Sequence, residues 1–153
     1  MPTITPFLWF DSQAEEAIAF YRSVFANSKG GPMQMIGDGA ERRMLSGSWE
    51  LEGQPFMAIN GGPHFQFTEA VSFMVTCADQ AEVDDLWEKL LDGGKASRCG
   101  WLKDRFGLSW QIIPGGMFAL FNDPDRAAAK RAMDAMMGMV KLDLAELQRA
   151  HAG

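Results

Sequence analysis

Two stretches of the sequence repeat one pattern, Phe56-Met-Ala-Ile-Asn-Gly-Gly62 and Trp110-Gln-Ile-Ile-Pro-Gly-Gly116. Each begins with an aromatic residue, continues as a short apolar run typical of a strand, and stops at a Gly-Gly pair. A helix start repeats as well, because Ser12-Gln-Ala-Glu15 and Asp79-Gln-Ala-Glu82 both place a capping residue three positions before a glutamate. The repetition indicates a duplicated structural unit.

The first unit is predicted to span residues 1–62 in the order β-α-β-β-β. Residues 4–10 form an apolar strand that leads into a helix capped by Ser12. Apolar residues recur at steps of three and four along that helix, which ends within residues 27–32. Three shorter strands are predicted after it, at residues 33–36, 43–51 and 54–60.

The second unit is predicted at residues 69–114 and is shorter. It begins with a strand at residues 71–77, and Asp79 caps the helix that follows. Gly93-Gly94 closes that helix. The last strands of the unit are predicted at residues 97–103 and 108–113, joined by a turn that Asp104 and Arg105 organise.

Residues 115–153 are predicted to form a helical extension. Asp123-Pro124 is typical of a helix start, and His151 falls in a frayed tail. The extension carries an apolar stripe that either packs against the sheet or a second subunit or forms a recognition face; its members are Met133, Met136, Met137 and Val140. The predicted fold class is therefore α+β, with two βαβββ-type modules forming a curved mixed sheet and C-terminal helices within one domain, residues 1–153.

Composition excludes several classes of protein. The net charge is -6 and no basic run is longer than Arg42-Arg43, which argues against a nucleic-acid partner. No apolar stretch is long enough to span a membrane, and from the residue pattern neither secretion nor a membrane span is expected. Two cysteines, Cys77 and Cys99, fit neither a disulfide framework nor a zinc motif, so a cytoplasmic location is expected.

Four segments carry a resemblance to a known family. They are Cys99-Gly-Trp-Leu-Lys-Asp-Arg-Phe-Gly-Leu-Ser-Trp-Gln-Ile-Ile-Pro114, Asn60-Gly-Gly-Pro63, Phe65-Gln-Phe67 and Met139-Val-Lys-Leu-Asp143. With them the chain resembles the PhnB-like family of the vicinal oxygen chelate superfamily, which includes glyoxalase I, extradiol dioxygenases and bleomycin resistance proteins. The resemblance implies paired modules curled into an open cup around a pocket, and commonly a homodimer.

The same resemblance supplies a test for a metal site. In the metal-using members, His or Glu ligands lie on the first and last strands of each module. Residues 4–10 and 71–76 contain no His, Asp, Glu or Cys, and residues 55–60 offer only a thioether and an amide. Gln111 stands where the metal enzymes carry Glu, and a neutral amide is a weak ligand. No metal and no other cofactor is therefore expected.

Six residues are candidate ligand contacts, because aromatic walls with a few polar groups are typical of small-molecule pockets. They are Trp9, Asn60, His64, Phe65, Trp101 and Gln111. Each has a structural alternative: the aromatic residues describe a core equally well, Gln111 can be satisfied by neighbouring strands, Asn60 can form a turn, and His64 can be a solvated loop residue.

Three functions are consistent with these residues. The leading hypothesis is a metal-independent protein that sequesters or senses an aromatic or apolar small molecule. The alternative is an enzyme of the same superfamily, a lyase, isomerase or methyltransferase-like enzyme using His64 or Gln111. Members of the family are often labelled methyltransferase-like, yet the chain has no Gly-rich strand-to-helix turn for a nucleotide-bearing methyl donor. A protein interaction module is the third. No residue is assigned a catalytic role.

Overall fold

The computed structural model describes residues 1–153, which form two compact units, Met1–Gln66 and Phe67–Gly153. Each unit contains a four-stranded mixed sheet in which the first strand pairs in parallel with the last. The α+β class and the duplicated module order predicted from the sequence are confirmed.

The first unit contains β1 (Phe7–Phe10), α1 (Ala14–Val24), β2 (Ser28–Ile36), a short 3-10 helix (Gly39–Glu41), β3 (Arg43–Leu51) and β4 (Gln54–Asn60). The strand order in the sheet is β1-β4-β3-β2. β3 and β4 begin and end as the sequence predicts. The other two strands differ: β1 begins at Phe7 instead of Ile4, and β2 extends back to Ser28, with a register shift between Gly30 and Met33.

The core of the first unit is a stack of aromatic rings beneath α1. The Trp49 ring lies between Tyr21, at a centroid distance of 6.4 Å, and Phe56, at 5.3 Å, with interplanar angles of 17° and 15°. α1 faces this core because its inward stripe is apolar; the buried members are Ala14, Ala17, Ile18, Tyr21 and Val24. The buried Nε1 of Trp49 has no hydrogen-bond partner.

The second unit contains β5 (Ser72–Cys77), α2 (Gln80–Leu91), β6 (Lys95–Ala96), β7 (Trp101–Lys103) and β8 (Ser109–Pro114). Their order in the sheet is β5-β8-β7-β6. The single strand predicted at residues 97–103 is therefore wrong in extent, because a turn separates the two short strands β6 and β7.

A buried carboxylate organises the turn between β7 and β8. Asp104 is only 3 % exposed, and its Oδ1 accepts hydrogen bonds from the amides of Phe106 at 2.8 Å and Leu108 at 3.1 Å. Its Oδ2 accepts from Trp110 Nε1 at 2.9 Å. The predicted role of Asp104 in this turn is confirmed, whereas Arg105 donates outside the turn, to Asp92.

The helical extension contains α3 (Met117–Phe121), α4 (Arg126–Met137) and α5 (Leu144–Ala152). It packs on the second unit through a cluster of four buried side chains, and Met136 and Met139 pack against that cluster; its members are Ile113, Met117, Leu142 and Leu147. Met137 and Val140 remain 63 % and 50 % exposed. One part of the predicted apolar stripe therefore packs against the cluster, and another part is exposed to solvent.

Two predicted helix starts are wrong. α1 begins at Ala14 with Gln13 at the cap position and no side-chain cap from Ser12. α4 is capped by Asp125, whose side chain accepts from the Ala128 amide, so the predicted start at Asp123-Pro124 lies too early. The prediction for α2 is confirmed, because Asp79 accepts from the amide of Glu82.

His151 does not lie in a frayed tail. It is part of α5, and its Nε2 lies 2.8 Å from Asp123 Oδ2. The carboxyl of Asp123 accepts a hydrogen bond from the amide of Asp125 and forms another with His151. Both hydrogen bonds hold the pKa of the Asp123 carboxyl below its ordinary value, and the one from Asp125 contributes most. Arg131 also donates to the carbonyls of Ala150 and His151, which ties α5 to α4.

Candidate functional site

One face of the second sheet gathers two of the predicted ligand contacts. Trp101 on β7 lies directly opposite Gln111 on β8, and Lys103 lies opposite Ser109. Directly paired residues, and residues two apart on one strand, place their side chains on the same face of a sheet. These four side chains, which we call the strand patch, therefore share one face.

The amide of Gln111 is fixed on this face. Its Nε2 donates a hydrogen bond to Ser72 Oγ at 2.9 Å, while its Oε1 accepts none. Both Gln111 and Trp101 are half-buried. The arrangement places a flat apolar ring next to a carbonyl oxygen that a ligand donor could use.

A pocket of about 200 Å³ opens beside the strand patch. Trp101, Lys103 and Ser109 line it, together with Lys95 and Glu69. Lys103 Nζ lies 2.6 Å from Glu69 Oε1. The hydrogen bond from Lys103 holds the pKa of the Glu69 carboxyl below its ordinary value. No sequence motif singles out Lys95, Ser109 or Glu69. The strand register places the first two, and the ion pair with Lys103 places Glu69.

The first unit brings three other predicted residues together. Trp9 is half-buried, and its Nε1 donates to the carbonyl of Gly62 at 2.9 Å. The ring of Phe65 meets it edge to face at a centroid distance of 4.9 Å, and the ring of His64 lies at 6.5 Å. Gly61 permits this packing, since a Cβ there would lie 2.2 Å from the Trp9 ring. Phe65 and His64 are themselves exposed.

Asn60 is engaged in structural hydrogen bonds. Its Oδ1 accepts from the amide of Ala14 at 2.8 Å, and its Nδ2 donates to the carbonyl of Met44 at 3.0 Å. The side chain therefore satisfies the N-terminus of α1, where Ser12 was expected to act, and joins it to β3. Asn60 belongs to the first unit, whereas the strand patch residues belong to the second.

The donor set of the fold does not fit a divalent metal ion. No three or more His, Cys, Asp or Glu side chains converge in the structure. β1 and the part of β5 before Cys77 carry none of these residue types, and the Gln111 amide already binds Ser72. Such a site requires carboxylate and imidazole ligands, and the residues present on these strands do not supply them.

The two cysteines are free thiols in the second unit, Cys77 buried and Cys99 half-buried. Burial, together with the nearby charges of Glu82 and Asp79, raises the pKa of the Cys77 thiol to about 11. The thiolate is the nucleophilic form, so Cys77 is unreactive near neutral pH.

Similarity to known proteins identifies the family. Residues 2–113 match the sequence model of the 3-demethylubiquinone-9 3-methyltransferase family. The chain also matches the PhnB protein of Bacillus cereus with 34% identity and a TM-score of 0.68, over 74% of this chain and 100% of that chain. The chain belongs to this family. No curated protein matches the sequence of this family member.

More distant solved structures share the fold of this family member. Protein PA1353 from Pseudomonas aeruginosa is 20% identical with a TM-score of 0.62, over 74% of this chain and 98% of that chain. The fosfomycin resistance protein FosX from Listeria monocytogenes is 14% identical with a TM-score of 0.55, over 77% and 94%. The resemblance to the PhnB-like family found in the sequence is confirmed at the level of this family. No helix of this member is long and apolar enough to cross a membrane.

Proposed function

We propose that this protein binds a small aromatic or apolar metabolite at the strand patch, without a metal ion, and sequesters or senses it. The pairing of Trp101 with Gln111 carries the proposal. A half-buried indole supplies apolar area, and the neighbouring amide, held by Ser72, supplies a directed acceptor. Such a combination is typical of sites for small organic molecules.

Other expectations belong to the same proposal. Trp9, His64 and Phe65 form a second candidate contact area in the first unit, supported by their ring contacts. Asn60 is left out, because its amide oxygen and nitrogen each have a partner. The resemblance to the family supports a homodimer, and the two free thiols are consistent with a cytoplasmic location.

The enzyme alternative requires a positioned base. His64 is the candidate, yet it is exposed and no hydrogen bond joins it to a carboxylate. General bases are usually oriented by such a bond. The interaction module requires an exposed face, for which Met137 and Val140 are the candidates. Both alternatives remain outcomes of the test below.

The first test is native mass spectrometry of the purified protein together with metal analysis. We expect a co-purifying organic molecule that Trp101→Ala and Gln111→Ala both lose. Phe118→Ala, which removes an exposed aromatic ring on α3, is the control and should retain it. Retention of the molecule by both strand patch variants, or one divalent metal ion per protomer, would contradict the proposal.

If no molecule co-purifies, binding at the strand patch is tested with benzamide as a probe ligand. A small uncharged aromatic molecule binds weakly, so it is titrated to about 10 mM while the indole N–H resonance of Trp101 is followed by NMR. We expect a saturable shift that Gln111→Ala weakens. A Trp101 resonance that stays constant shows that the strand patch takes no such ligand.

A further inference from the structure

Two lysines lie at directly opposite positions, one in the strand patch and one beside it. Lys95 on β6 pairs with Lys103 on β7 in antiparallel register, and both line the pocket of about 200 Å³. Directly opposite like charges destabilise a sheet. Lys103 has a counterion in Glu69, whereas Lys95 forms no salt bridge. The pocket therefore carries an excess of positive charge in a chain whose net charge is -6.

The backbone holds the two lysines in this arrangement. β6 is only two residues long, and Gly94 precedes it. A Cβ at Gly94 would lie 2.2 Å from the carbonyl oxygen of Lys103, so only glycine lets the chain approach β7 this closely. The hairpin therefore sets the opposed backbone positions of the two lysines.

A buried hydroxyl in the same pocket lacks a partner. Ser109 lies directly opposite Lys103, lines the pocket and is 1 % exposed. Its Oγ makes no hydrogen bond. Buried hydroxyl groups are nearly always paired with protein, water or a ligand, so an orphan at the wall of a pocket indicates a group that a ligand satisfies.

Glu69 shows which chemistry the lysine pair accepts. Its carboxylate contacts Lys103 at 2.6 Å, and its side chain remains 64% exposed. An exposed ion pair of this kind contributes little to stability and is readily exchanged. An incoming carboxylate can therefore take the place of Glu69 on Lys103 and contact Lys95 as well.

We propose that Lys95, Lys103 and Ser109 bind the acidic group of a small organic anion whose flat apolar part packs on Trp101. The pocket of about 200 Å³ is smaller than sites for drug-sized molecules, which begin near 300 Å³, so it selects a compact ligand such as a monocyclic carboxylate. This inference rests on the proposed function and adds to it the charge of the ligand.

The test compares benzoate with benzamide, which have the same ring and differ in charge. Both are titrated into the whole protein while the Trp101 indole N–H is followed by NMR. We expect benzoate to bind about 10-fold more tightly. Lys95→Met should weaken benzoate about 5-fold and leave benzamide unchanged, because it removes the charge and keeps the length of the side chain. Lys89→Met, on α2, is the matched control.

Two further variants give responses that a purely structural role would not. Glu69→Gln should strengthen benzoate binding about 3-fold, because it frees Lys103 from its counterion. Ser109→Ala should weaken benzoate while leaving the Tm unchanged or higher, since it removes a buried hydroxyl that has no partner in the free protein. Circular dichroism verifies that each variant is folded.

The outcomes separate the two proposals. Equal affinity for benzoate and benzamide, or an unchanged benzoate affinity in Lys95→Met, overturns the anion inference and leaves the proposed function standing. Failure of both probes to shift the Trp101 resonance overturns the proposed function and the anion inference together.

Discussion

The two units share one strand order, but they differ in the hydrogen bonding of their buried tryptophan indole groups. In the first unit, Trp49 stacks between two aromatic rings and its Nε1 has no partner. In the second unit, Trp110 donates its Nε1 proton to the buried carboxylate of Asp104. The β-α-β-β-β topology therefore does not depend on any one polar contact. Apolar burial and strand pairing specify this topology, and the two units differ in how their buried polar groups are hydrogen-bonded.

The helix starts show the same contrast. α2 is capped within its own sequence, because Asp79 accepts from the amide of Glu82 and Glu82 accepts from that of Ala78. α1 depends instead on Asn60, which lies 46 residues from Ala14 in the chain. A local cap is readable as a motif, whereas a distant one is set only when the sheet has formed.

The exposed faces of the two sheets differ in chemistry as well. The first sheet exposes apolar side chains, among them Phe7 at 54 % and Met57 at 37 %. The second combines Trp101 with Gln111, Ser109 and a pair of lysines. Directed polar groups beside an aromatic ring confer ligand specificity, so the second unit is the better candidate for the binding site.

Asp104→Ala should have the largest effect on this comparison. It removes the acceptor of three hydrogen bonds and leaves the indole N–H of Trp110 buried without a partner. We expect a loss of about 3–5 kcal/mol in the free energy of unfolding. Urea denaturation measures the change, and Asp92→Ala, an exposed carboxylate, is the control. A loss similar to that of the control would show that the second core does not need its carboxylate.

The two tryptophans can be compared with the same substitution. Trp110→Phe leaves the Asp104 carboxylate without one donor, whereas Trp49→Phe removes an N–H that has no partner. Both changes delete the same atoms, so Trp110→Phe should cost about 1–3 kcal/mol more than Trp49→Phe. Equal losses in urea denaturation would mean that the hydrogen bond in the second unit contributes nothing net.

Asn60→Ala tests the distant helix cap. It removes the acceptor for the Ala14 amide and the donor to the Met44 carbonyl, so we expect a loss of about 1–2 kcal/mol. The local cap variant Asp79→Ala should lose about 1 kcal/mol. Hydrogen exchange distinguishes the two, because Asn60→Ala should release the first turn of α1. Unchanged protection of that turn would contradict the role of Asn60.

Cys77 tests the second unit alone, through the pH dependence of its stability. Its pKa in the folded state, about 11, lies above the ordinary value of 9.0. Its contribution to stability is therefore fully present below pH 9 and is lost as the pH rises towards 11. Unfolding free energies of wild type and Cys77→Ala, measured from pH 8 to pH 11, should converge in this window. Parallel curves would show that the thiol is not desolvated.

The candidate site was predictable only in part. Trp101 and Gln111 could be chosen from the sequence, because large aromatic residues are typical of small-molecule pockets and Gln111 stands where the metal-using relatives carry Glu. Their association follows from the pairing of β7 with β8. Lys95 and Glu69 carry no local motif, and they join the pocket only through the hairpin and the ion pair. The caps at Ser12 and Asp123 fit local rules and were wrong. The distant Asn60 accepts from the first turn of α1, and the neighbouring Asp125 caps α4.

Residue patterns along the chain are enough to predict the duplicated module order, the strands β3 and β4, and the capped start of α2. Those features depend on residue periodicity and on contacts between near neighbours in the chain, which a linear pattern records. Tertiary structure alone decided the partner of Asn60, the acceptor for Trp110 and the pairing of Lys95 with Lys103. These depend on strand register, and register places side chains on a common face only after distant segments have been brought together.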